Sequence, residues 1–142
     1  MKIWQLLVAI ALFGIFAPVL AQSVRIQGKL SKEKGYKSRI KVAPGDSFRV
    51  QVTIKTAKND DLRIRLQFVF GQVSVLENVM QASSRSRLEL GSENIHSVEN
   101  SAVLILKDGH PAKQINGDIF SDEGILFDRG SEYTLEFTST AH

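Results

Sequence analysis

Residues 47–55 read Ser47-Phe48-Arg49-Val50-Gln51-Val52-Thr53-Ile54-Lys55. Successive side chains of an extended chain point to opposite faces. Phe48, Val50, Val52 and Ile54 therefore share one face, and Arg49, Gln51, Thr53 and Lys55 share the other. Strict alternation of this kind predicts a strand with one side in a core and the other in water. Residues 62–70 repeat it, with Leu62, Ile64, Leu66, Phe68 and Phe70 inward and Arg63, Arg65 and Gln67 outward. Residues 133–139 do so again, with Tyr133, Leu135 and Phe137 inward.

Shorter segments fill the gaps. Residues 24–30, 38–42 and 85–90 alternate with polar partners. Residues 72–79 fit a strand through Val73 and Val75, although residues 76–80 (Leu-Glu-Asn-Val-Met) would also make one helical turn. Residues 102–106 are a continuous apolar run, which predicts a strand covered on both faces. Residues 125–127 make a short piece before a closing hairpin. The turn residues agree: Pro44-Gly45-Asp46, Lys58-Asn59-Asp60-Asp61, Asp108-Gly109-His110-Pro111, Asn116-Gly117-Asp118 and Asp128-Arg129-Gly130-Ser131 punctuate the strands. No stretch keeps an apolar period of 3.6 long enough for a crossover helix. The pattern predicts an all-β, antiparallel, immunoglobulin-like sandwich of about seven to nine strands, with a closed eight-stranded barrel as the alternative.

The chain of 142 residues opens with Met1-Lys2, an apolar run over residues 3–19 broken only by Gln5, and Pro18-Val19-Leu20-Ala21 before Gln22-Ser23. A positive start, an apolar centre and a small residue at the cut predict a signal peptide over residues 1–21, with one domain over residues 22–142. The apolar run approaches the roughly 20 residues that span a bilayer, so an uncleaved anchor is the competing reading. There is no cysteine, hence no disulfide and no acylated N-terminal cysteine, and a fold of this kind rests on packing alone. Absence of bridges in an exported domain points to a bacterial envelope or surface protein. The expected location is secreted, periplasmic or at the cell surface.

Residues 22–90 hold 14 Lys/Arg against 6 Asp/Glu, and residues 91–142 hold 3 against 9. Sheet topology pairs distant strands, so the two halves are expected to interleave and mix their charges. The outward residues Arg49, Lys55, Arg63 and Arg65 form one basic face if their two strands are neighbours. Such a face would meet an acidic polysaccharide, anionic lipid or the acidic half of a second copy. No aromatic residue interleaves these cations, so nucleic acid is not an expected partner. Asp108, Asp118, Asp122, Glu123 and Asp128 are the candidate calcium ligands, since calcium takes six to eight oxygens, but their spacing matches no EF-hand loop. His96, His110 and His142 stand in no catalytic motif, and neither a nucleophile elbow nor a phosphate-binding loop is present. The expectation is a protein that is not an enzyme and carries no cofactor.

The stretch Val42-Ala43-Pro44-Gly45-Asp46-Ser47-Phe48-Arg49-Val50-Gln51-Val52-Thr53-Ile54 resembles the opening of DUF11-type and related immunoglobulin-like repeats of bacterial surface proteins. Residues 124–141 are similar to the family's closing hairpin. Together the two segments bound a loose resemblance over residues 42–141. The resemblance implies a structural or adhesive role at the cell surface and brings no catalytic residues with it. The expected function is a secreted or envelope-bound module acting in adhesion or assembly through an exposed sheet face or edge. Its partners would be protein or polysaccharide, with membrane involved only if residues 1–21 stay attached. The alternative is a carbohydrate-binding or cohesin-like module, which would present a row of exposed aromatics.

Overall fold

The computed structural model describes residues 22–77, 86–92 and 94–142. Ten strands build two antiparallel sheets: β1 (Ser23–Leu30), β2 (Ser47–Lys55), β3 (Leu62–Val69), β4 (Gln72–Glu77), β5 (Arg87–Glu89), β6 (Val98–Asn100), β7 (Val103–Lys107), β8 (His110–Ile115), β9 (Ile125–Phe127) and β10 (Glu132–Ala141). The first sheet runs β1-β2-β10-β7-β8, with β6 also on β10, and the second runs β5-β4-β3-β9. Among the described residues there is no helix. The signal-peptide reading of residues 1–21 lies outside the described residues.

The alternation at residues 47–55 sets the core. Phe48, Val50, Val52 and Ile54 are fully buried, and β2 lies between β1 and β10. Ile26, Val52, Leu135 and Ile105 face one another in register across four strands. Val24, Ile54 and Tyr133 make the next such row. The opposing layer comes from Leu62, Ile64, Leu66, Val73, Val75, Leu88 and Phe127. Each fully buried aliphatic or aromatic side chain contributes about 1.5–3 kcal/mol.

Several expectations need correction. Residues 103–107 are not covered on both faces: Val103 and Ile105 are buried, but Leu104 remains 37% exposed. The sandwich has only two layers, so every strand has one face towards water. Residues 125–127 and the last strand do not form a hairpin. Strand β9 pairs with β3 in one sheet and β10 with β2 and β7 in the other, so residues 128–131 cross between sheets. Phe70 does not point inward but stands 96% exposed, because β3 ends at Val69 and Phe70-Gly71 make the turn to Gln72. The ambiguity at residues 72–79 resolves as strand up to Glu77; Asn78 and Val79, like Arg85 of the stretch 85–90, lie outside the described residues. Residues 38–42 are not an antiparallel strand but a strap beside β5. Glu89 N donates to Ser38 O (3.0 Å), Ile40 N to Glu89 O (2.9 Å) and Val42 N to Leu90 O (2.9 Å).

The charged halves do not interleave either. The basic half supplies β1, β2, β3, β4 and β5, and the acidic half supplies β6 to β10. Within the sheets the halves join only along the β2–β10 and β3–β9 seams. Among the described residues the strands of the basic half and those of the acidic half therefore occupy opposite sides of the sandwich and meet along these seams.

The crossing between sheets is tied down locally. Thr56 is buried at the end of β2, and its hydroxyl lies 2.7 Å from Asp128 O and accepts the Ser131 N–H at 2.9 Å. Nearby, Arg129 donates to Asp61 Oδ1 from its backbone N (2.9 Å) and its Nε (3.2 Å). The Arg129 side-chain hydrogen bond, then the backbone one, hold the Asp61 carboxyl below its ordinary 3.8. A depressed carboxyl stabilises the fold above its unfolded value and loses that contribution as pH falls through its folded value. The Asp61→Asn protein is therefore less thermostable than wild type at neutral pH, and the gap in Tm closes as the pH is taken well below 3.8. A Tm difference independent of pH across that range would show that the Arg129–Asp61 contact does not contribute through charge.

Candidate functional site

The four predicted basic residues do not share a face. Arg49 and Lys55 lie on the outer side of the first sheet and Arg63 and Arg65 on the outer side of the second, because residues 56–61 carry the chain across the sandwich. Arg49 stands in register between Lys29 and Thr138, and Lys55 between Ser23 and Glu132. Arg63 is opposite Leu126 of β9 and donates to Glu123 O at 3.0 Å. Arg65 is opposite Leu76 and half-buried, and its buried Nε has no hydrogen-bond partner among the described residues. Gly124 lies against both arginine stems, and a Cβ placed there would be 2.8 Å from Arg65 Cγ. These two arginines support the 123–125 segment with their stems, a common use of long cationic side chains.

The five acidic residues are also dispersed. Asp108 sits in the β7–β8 turn, where its Oδ1 accepts the Glu132 N–H (3.0 Å). Asp128 lies 3.6 Å from Lys107 Nζ. Asp118 caps its own loop by accepting the Phe120 N–H (2.9 Å), and Asp122 and Glu123 are exposed further along that loop. The length of β7, on the order of 15 Å at roughly 3.3 Å per residue, separates Asp108 from Asp118. Among the described residues no three His, Asp or Glu side chains approach closely enough to hold a metal ion. His96 and His110 are exposed, and His142 Nε2 lies 3.4 Å from Glu99 Oε2 at the surface.

What the fold does assemble is a groove at one side of the sandwich. Strand β8 ends the first sheet and β9 ends the second, and each pairs with a single neighbour among the described residues. Between them lies a groove of about 710 Å³ lined by Ile115, Ile119, Ile125 and Leu126 together with Lys113, Asp118 and Glu123. Leu126 is 52% exposed and faces out of the sheet. The loop that forms its floor is pinned. Asn100 donates from Nδ2 to Gly117 O (3.0 Å) and accepts from Ile119 N at Oδ1 (3.1 Å). Phe120 packs edge-on against Phe137 with centroids 6.3 Å apart. Pro111 and the bulge between Ile105 and Leu106 break the β7–β8 ladder.

A second groove, about 730 Å³, runs beside β1 and includes Val24, Ile26, Ser38 and Arg87. Its edge is already partly taken. Gly28 and Lys37 exchange both backbone hydrogen bonds at 2.8 Å, and Val24 O accepts the Ser86 hydroxyl at 3.4 Å. The strap thus occupies part of the β1 edge, whereas among the described residues no segment bonds to the outer edges of β8 and β9. Sequence reading missed this groove because residues 110–115 have no alternation. The available signal was Ile125-Leu126-Phe127: three apolar residues in a short strand must turn one of them outward.

Comparison with family models, with curated proteins and with solved structures finds no match.

Proposed function

We propose that this chain is an exported binding module, not an enzyme, that takes up an extended segment of a partner protein along the β8–β9 groove. In this reading residues 1–21 direct export and residues 22–142 work at the cell surface or in the periplasm, as an immunoglobulin-like domain in adhesion or assembly. The observation that carries it is the pair of singly paired edge strands flanking an aliphatic groove. An added strand gains main-chain hydrogen bonds from an edge and specificity from pockets that receive alternate side chains. Volumes of roughly 300–1,000 Å³ hold ligands of side-chain to peptide size, and the groove falls in that range. The split of the basic face leaves the edge as the better-supported of the two surfaces expected from sequence.

The test uses protein recovered from the medium or periplasm of cells expressing the full chain, with an intact mass that begins at Gln22. Selection from a random peptide display library yields peptides of alternating apolar residues that shift the amide signals of Lys113, Gln114 and Leu126. Leu126→Glu weakens their binding at least about tenfold, the scale set by desolvating a charge in an aliphatic site. Selected peptides that map away from β8 and β9, or bind the Leu126→Glu protein equally, would remove the groove as the binding site. Recovery of the full-length mass in the membrane fraction alone would overturn export.

A further inference from the structure

Phe70 occupies a position that nothing in the fold assigns to it. It is the first residue of the two-residue β3–β4 turn, with φ of 54°, followed by Gly71 at 72°. Turns with both central residues left-handed favour Asn, Asp or Gly, and a bulky side chain is an outlier there. The ring is also 96% exposed. An asparagine would relieve the backbone and remove an apolar ring from water. Strain and exposure coinciding at a hairpin tip mark a residue retained for contact with something else.

Several lysines gather at the same end of the sandwich. Leu90 N donates to Gly71 O (2.9 Å) and Val42 N donates to Leu90 O (2.9 Å), so Lys41 lies two chain segments from the hairpin tip. The strand β1 also ends here, and the loop that follows it carries Lys32 and Lys34, both exposed, with Lys37 close behind. Glu33 stands between the first two and leaves that loop net positive. Among the described residues, further acids in this region are engaged locally. Asp46 accepts the Ala43 N–H (2.9 Å), and Glu89 holds Arg39 (2.6 Å). Strand β10 also ends here, with Ala141 bonded to Gly45 and Asp46, and Glu99, which pairs with Thr140 beyond β2, lies 3.4 Å from His142 Nε2.

We propose that this end docks on an anionic membrane surface, with Phe70 entering the headgroup region and Lys32, Lys34 and Lys41 facing lipid phosphates. The contact is distinct from the β8–β9 groove and does not use residues 1–21. A membrane fits better than a protein socket. Among the described residues Phe70 stands beside polar Gln72 and Ser92 rather than within an apolar patch, whereas protein hot spots sit in packed surroundings. The lysines are spread over a loop rather than fixed in a pocket, which suits the diffuse potential of an anionic bilayer. An apolar wedge flanked by cations combines the two forces that hold proteins at a bilayer interface.

The sequence has a single tryptophan, Trp4, so the full chain with Trp4→Phe and Phe70→Trp reports on position 70 alone. Vesicles of phosphatidylcholine with anionic phosphatidylglycerol and brominated acyl chains shift the indole emission to the blue and quench it, and added salt reverses both. Lys32→Glu, Lys34→Glu and Lys41→Glu together weaken partitioning by more than about a hundredfold, since losing three cations near an anionic surface alone removes that much. Phe70→Asn keeps the fold, raises Tm and lowers vesicle binding. Indole emission unchanged by anionic vesicles overturns the proposal. So does equal quenching by neutral vesicles or in the charge-reversed protein, which would assign binding to residues 1–21. A blue shift on raising protein concentration without lipid would overturn it in favour of a socket on a second copy.

Discussion

Truncating Phe48 to alanine lowers the unfolding free energy by about 3–5 kcal/mol, the range for removing a buried aromatic ring and leaving a cavity. Phe48 is fully buried at the start of β2, in register with Leu30 on one side and Ser139 on the other. Ser139 is itself buried and donates its hydroxyl to Glu99 O at 2.8 Å, so little around the ring can collapse without breaking that bond. Since domains of this size are stable by about 5–15 kcal/mol, the loss takes a large part of the total. Urea denaturation measures it as a lower midpoint at unchanged slope. Arg49→Ala, one residue along and facing solvent, costs less than about 0.5 kcal/mol. Equal effects at the two positions would mean that β2 is out of register by one residue, since a slip of one exchanges its faces.

The second large effect is at Gly71. Its φ is 72°, and a Cβ there would lie 2.7 Å from the carbonyl oxygen of Ser92. Gly45 offers a matched comparison, with φ of 94° and nothing within 4 Å of the point where a Cβ would stand. Gly45→Ala carries only the left-handed backbone penalty of about 1–2 kcal/mol. Gly71→Ala adds overpacking against backbone, about 1–3 kcal/mol more. Thermal denaturation of the two single variants therefore separates conformational strain from steric contact. Equal losses would show that the 90–92 segment yields without cost.

Much of the architecture could be read directly. In β2 and β3 every second residue is apolar, as in β10 except at Ser139, and those positions are the buried ones as far as Leu66 in β3 and throughout β2 and β10. Phase along a strand is a local property. Which sheet a strand joins is not, because it depends on partners such as Ile54 and Tyr133, far apart in the chain. That is why Arg49 and Arg63 read as neighbours and are not. Phe70 continued the phase of β3, yet Phe-Gly between two alternating runs has the length of a tight hairpin. The groove residues escaped because β8 is exposed on both faces and its Pro111 interrupts any period.

The arrangement of β1, β2 and β10 has a mechanical consequence. Both β1 and β10 run antiparallel to β2, so they run parallel to each other with β2 between them. Ser23 and Ala141 thus lie at opposite ends of the sheet. Tension entering through β1 and leaving through β10 would slide the strands lengthwise and load both ladders as a whole, rather than peel them open one bond at a time. Rupture under such loading is governed by the unfolding barrier rather than by equilibrium stability. A pull between Ser23 and Ala141 would therefore meet both ladders at once.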